Sequence, residues 1–207
     1  MMVVKEKNYT GIVPGQQTGK AIDAVSSIEL ANDSEAAMVY NRAKARLINV
    51  NDWHLVAGGL SATFQLVDKN GKEVNRPAEK GDYFKIDIPG PGTKSGEGYD
   101  WVQIEELEST SKGEIDSFGL RVRPTENPQN ENHDVAHFYS PESTSTFTIT
   151  REKNKVTAAI YDRNTKPNKD AHNTIDKVRD ALVGAAGIFS FSKIQWKHLA
   201  EGLLKND

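Results

Sequence analysis

The chain has 207 residues, 37% of them apolar and 27% charged, which is long enough to bury a core without disulfides or metals to staple it. It contains no cysteine, which excludes disulfide scaffolds, thiolate zinc sites, iron–sulfur clusters and cysteine nucleophiles. A formal net charge of −3, with both signs interspersed, supplies no basic field for a phosphate backbone, so nucleic acid is not an expected partner.

Residues 1–20 mix charge with Gly11, Pro14, Gly15 and Gly19 and hold no sustained period. They read as a flexible N-terminal arm with at most one short strand near Thr10–Val13, dispensable for folding. Residues 21–207 read as a single α+β domain. The N-terminus has no apolar stretch of the signal-peptide type, so a cytoplasmic location is the expectation. No apolar run approaches the roughly 20 residues of a membrane helix, so no span is expected.

Val25–Leu30 is a short β-like run. Asn32, Asp33 and Ser34 can then cap a helix in which Ala36, Tyr40, Ala43, Leu47 and Val50 recur at spacings of three and four. Trp53, followed by Gly58 and Gly59, marks its exit. From Ser61 to Arg163 the period becomes two. Phe64 and Leu66 alternate with polar neighbours before the Asp68-Lys69-Asn70-Gly71 turn. Phe84, Ile86 and Ile88 follow, then Val102 and Ile104, then Phe118, Leu120 and Val122. After a loop over 124–136 come Phe147 and Ile149, and then Val156, Ala158 and Ile160 beyond a turn at Glu152–Lys155. Short connections without helical crossovers imply an antiparallel meander. The register expected from this alternation buries Phe84, Ile86, Val102, Ile104, Leu120 and Ile149 and turns Lys85, Gln103 and Arg121 outward.

A helical period returns at the end. Asn173 can cap, and Ile175, Val178, Leu182, Ala185, Phe189, Trp196, Leu199 and Leu203 share a face. Gly184 and Gly187 leave open whether this is one helix or two. The stripe is expected to be indispensable, with Trp196→Ala its sharpest probe.

No motif assigns an activity. Gly15–Lys20 has three residues between its glycines and Ala21 after the lysine, so it fails the phosphate-loop pattern, as does Gly90–Ser95. His133 and His137 stand four apart around Asp134 in an Asn-rich loop rather than on a helix, so no metal site is assigned. His54, His172 and His198 are isolated. Simple alternation puts Glu106 and Glu108 on one strand face and Glu105 on the other, where Glu105 meets Arg121 and Arg123 as cross-strand ion pairs, the alternative being an anion-binding patch. No catalytic residue and no cofactor follow from these residues.

The order strand, helix, six antiparallel strands and C-terminal helix, with Trp53 closing the first helix, resembles the START-like, or helix-grip, superfamily over residues 25–204. That resemblance implies an antiparallel six- to seven-stranded curved sheet packed on a C-terminal helix. Lipid and sterol carriers, polyketide cyclases, hormone receptors and ring-hydroxylating oxygenase subunits share the architecture, so it does not choose a function. The superfamily pattern carries a helix pair after the first strand, and here residues 51–60 would have to provide the second helix.

The first reading is a binding module whose sheet and terminal helix enclose a pocket for a small apolar ligand, lined by Tyr40, Phe64, Phe84, Phe118, Phe147 and Trp196. The same residues can instead fill a solid core. A second reading is an enzyme on a small aromatic or apolar substrate, with Tyr40, His137 or Arg121 reaching into the cavity. A third is an interaction domain with Tyr83, Trp101 and Tyr161 as an outer aromatic patch where a partner, including a second copy in a homodimer, would dock.

Overall fold

The computed structural model describes residues 7–58, 62–89, 92–168 and 174–206, with backbone alone over 174–188. Asn32 opens α1 (Asp33–Ile48): its side chain accepts the Glu35 backbone N–H at 2.9 Å and donates back to the Glu35 carboxylate. The stripe Ala36, Tyr40, Ala43, Leu47 and Val50 is buried along its length. A single turn of tighter helix leads into the four-residue α2 (Trp53–Val56), so the second helix of the pair is compressed to one turn.

The sheet has seven strands, of which the last six follow the predicted faces: β1 (Lys20–Glu29), β2 (Thr63–Val67), β3 (Tyr83–Asp87), β4 (Asp100–Lys112), β5 (Ile115–Pro124), β6 (Thr144–Glu152) and β7 (Lys155–Thr165). Their spatial order is β1-β7-β6-β5-β4-β3-β2, every neighbour antiparallel, so β2 to β7 form an unbroken meander and β1 closes against the last strand. Phe84, Ile86, Val102, Ile104, Leu120 and Ile149 are all buried on the inner face, as the alternation requires. The Asp68–Gly71 turn is present, but β2 pairs with β3 only after an intervening loop pinned by the Arg76–Asp82 ion pair.

The backbone of α3 (Thr174–Leu204) runs as one helix, which settles the alternative left by Gly184 and Gly187. It lies over β1 and β7, while α1 covers β6 and β7 from the same side. Leu199, Leu203 and Leu204 are buried; Asn173 and the side chains of Ile175, Val178, Leu182 and Ala185 lie outside the described residues. The fold is therefore helix-grip-like α+β, a seven-stranded antiparallel sheet with its concave face against the C-terminal helix.

Two expectations change. Residues 7–18 form no strand, yet they are not loose: Ile12 and Val13 are buried against the outer sheet face. A Cβ on Gly119 would stand 2.7 Å from the Ile12 Cδ1 and 3.0 Å from the Thr10 hydroxyl oxygen, so the absent side chain makes room for this segment to lie close. Arg121 donates to the Ile12 carbonyl, Lys7 pairs with Glu152, and Asn164 receives the Gln17 and Thr18 N–H groups. Over residues 7–18 the predicted arm is a strap tied down from Lys7 to Thr18. The second change is a β-bulge at Glu105, which shifts the register between Ile104 and Glu106. Glu105 and Glu106 consequently both reach Arg121 on the outer face, where simple alternation had separated them.

Candidate functional site

Period-two alternation on β2, β3, β4, β5 and β6 delivers Phe64, Phe84, Ile86, Val102, Val122 and Phe147 to one end of the inner face, and α3 closes over them with Phe191 and Trp196. Between them is a narrow apolar pocket of about 50 Å³, room for a few waters or the tip of a ligand. The polar part of its lining is Ser145, Ser192, Gln195, His137 and Tyr139. The aromatic walls are continuous with the core: the Trp53 ring lies 5.0 Å from Phe64 and 5.1 Å from Phe147, and Trp196 meets Phe147 edge-on at 5.2 Å.

Of the six residues expected to line the pocket, Phe64, Phe84, Phe147 and Trp196 come together. Tyr40 and Phe118 do not reach it. Tyr40 is buried on α1, where burial, reinforced by the charge on Asp116, raises its hydroxyl pKa, and Phe118 is buried beneath the same helix with Lys44 over its ring at 4.8 Å. Arg121 cannot reach in either, because its strand position points it outward into the Glu105 and Glu106 ion pairs. His137 does line the pocket. Its Nδ1 accepts the Tyr139 N–H at 2.9 Å and is therefore unprotonated in this geometry. His133 is exposed and pairs with Glu126, so the two histidines share no site. Among the described residues no cluster of histidine and carboxylate side chains could hold a metal ion, and no helix is long and apolar enough to cross a membrane.

The residue missing from the sequence reading is Asp162. It pairs with Ser145 across β6–β7, on the same inner face as Ile160 and Ala158, and is fully buried. The Trp196 indole N–H donates to its Oδ2 at 2.9 Å, while Oδ1 has no hydrogen-bond donor. Burial pushes its pKa up to about 7 from the ordinary 3.8. The Ser145 hydroxyl, the Trp196 bond and the Arg163 charge pull the other way without prevailing, and the Ser145 geometry does not close a hydrogen bond to Oδ1. Tyr139, bonded to Ser192 at 3.1 Å, is raised by its own burial and then by the Asp162 charge. Extending the Val156, Ala158, Ile160 alternation by one step would have placed Asp162 inside; Tyr139, Ser192 and Gln195 gave no such signal.

The proposed outer aromatic patch is absent. Trp101 is fully buried with Val67 and Ala136 beneath the loops before β4 and after β5, its indole N–H donating to the Gly96 carbonyl. Tyr161 is buried under the strap beside Val13.

No family model matches the chain, and no curated protein matches it. Among solved structures it is similar to a hypothetical protein from Helicobacter pylori, at 12% identity and a TM-score of 0.49 over 97% of this chain and 95% of that one. It is also similar to norcoclaurine synthase from Thalictrum flavum in complex with dopamine and hydroxybenzaldehyde, at 8% identity and a TM-score of 0.36 over 100% and 98% of the two chains. A third is Ara h 8.0201, at 10% identity and a TM-score of 0.33 over 90% and 100%. The helix-grip-like assignment rests on this chain's own strand order and on the placement of α3.

Proposed function

We propose that the domain is a binding module for a small apolar ligand, held between the sheet and α3 at the pocket bounded by Phe64, Phe84, Phe147 and Trp196. The observation that carries this reading is an apolar pocket with aromatic walls and a few polar side chains in its lining, the composition of small-molecule sites. Its volume of about 50 Å³ lies well below the roughly 300–1,000 Å³ of such sites, so a ligand would enter by displacing side chains rather than by filling a preformed void. Trp196 is half-buried and Ile88 stands half-exposed beside the pocket, which makes them the groups that would give way.

The alternative of an enzyme on a small aromatic or apolar substrate draws on one observation, the neutral-range carboxyl of Asp162 near Tyr139. Among the described residues of the pocket the Ser192 hydroxyl bonds Tyr139 rather than a base, so binding is the better-supported reading.

Neutral N-phenylnaphthylamine, which fluoresces in apolar surroundings, is expected to bind saturably, and Ile88→Trp to weaken it about tenfold or more by occupying the pocket. No saturable enhancement, or full affinity in Ile88→Trp, would remove the pocket as the site.

A further inference from the structure

We propose that the ligand carries a protonated amine on its apolar body and that Asp162 is the counter-charge. The proposal rests on the pocket reading above and adds the chemical class of the ligand. A buried carboxylate oxygen normally finds a donor, because an unmet one forfeits its hydration without return. Asp162 is fully buried and its Oδ1 has none. Ser145, its cross-strand partner, and Trp196, bonded to its Oδ2, are also pocket wall, so only one layer of side chains parts the carboxylate from the cavity. At Ser145 that layer is a single hydroxymethyl group.

Among the described residues no protein cation is directed at Oδ1 from the elements around it. The next residue on β7, Arg163, turns to the opposite face and binds Asp23 of β1 at 2.6 Å. Lys20, also on β1, places its ammonium 4.3 Å from the Phe189 ring centroid, and Phe189 in turn stacks on Tyr139. Among the described residues the other ionisable groups at this end are Tyr139, His137 and Asp100, which accepts the Phe138 N–H. An ammonium from outside would thus meet an acceptor without a donor, and its apolar body would lie among Phe64, Phe84, Phe147 and Trp196, whose ring faces attract cations.

The test compares phenethylamine with its neutral isostere phenylethanol by calorimetry. Near pH 8, where Asp162 would be ionised, the amine is expected to bind about tenfold or more tightly than the alcohol. That preference should fall by about tenfold per pH unit below the Asp162 titration, since the amine stays charged while its partner gains a proton. Asp162→Asn should abolish the preference and keep the alcohol. The pH series on the unaltered protein needs no variant, and circular dichroism checks that the variant folds. Equal affinities near pH 8, or a preference that survives Asp162→Asn, would overturn the amine while leaving the pocket standing. Failure of both probes to bind would overturn the pocket reading and this inference together.

Discussion

Asp162→Asn is expected to stabilise the protein at neutral and alkaline pH and to leave it unchanged near pH 4. Asp162 ionises at the ordinary 3.8 when the chain is unfolded and at about 7 when it is buried. Between those values the folded state holds a proton that the unfolded state has released, so stability falls as pH rises through the window and is flat above it. A gap of about three units corresponds to on the order of 4 kcal/mol, a large part of a domain's roughly 5–15 kcal/mol. Asparagine keeps an oxygen for the Trp196 indole and turns its amide towards Ser145, with no charge to bury. Other carboxylates act in the opposite sense: the Ser111 hydroxyl and Arg151 hold Asp116 below its usual value, which adds stability as pH rises. The difference between the two proteins cancels those contributions. Urea midpoints from about pH 4 to pH 9 should diverge steadily across the window, and parallel curves would show that Asp162 is not the buried, unpaired acid described.

Trp53→Ala should cost about 3–5 kcal/mol, the range for a fully buried large aromatic side chain. The ring is sealed from solvent among Phe64, Phe84 and Phe147, and its indole N–H satisfies the Leu47 carbonyl at 3.1 Å. Alanine would leave a cavity at the meeting point of α1, the sheet and the pocket wall, and would strand the carbonyl at the end of α1. A denaturation midpoint lowered by less than the equivalent of about 1 kcal/mol would mean that the ring is not the keystone of this packing.

The weight placed on Trp53 differs from what the sequence alone suggested, and the reason is physical. Periodicity reports which face of an element is apolar; it says nothing about what covers that face. The α1 stripe and the inner residues of β2 to β7 were legible because each element's pattern and its burial coincide. Trp196 looked like the central aromatic because it completes a helical stripe, yet it is half-buried while Trp53, at the end of a short turn, is sealed. The first half of β1 was missed because Lys20 and Asp23 interrupt it and its inner apolar face there consists of Ile22 and Ala24 alone.

Distant contacts explain the other departures. Ile12 and Val13 gain their burial from Gly119 and Tyr161, more than a hundred residues away in sequence, so a local reading of glycine and charge suggested a loose arm. Trp101 and Tyr161 alternate like surface residues and become buried only because a loop and the strap lie over the outer face. The Glu105 bulge breaks a parity that alternation assumes, and no residue type at that position announces it. Asp162 was within reach, since it sits in phase with Ile160, but an acid at the end of a strand is ordinarily read as the point where burial stops.

The central claim is that ligands enter between the sheet and α3 at Trp196. The chain has three tryptophans, and each indole N–H gives a separate proton–nitrogen NMR signal. Trp196 is in the pocket wall, Trp53 lies behind that wall against Phe147, and Trp101 is on the opposite face of the sheet. Titration with N-phenylnaphthylamine should move the Trp196 signal most, Trp53 less and Trp101 not at all; movement of Trp101 with Trp196 unchanged would contradict the account.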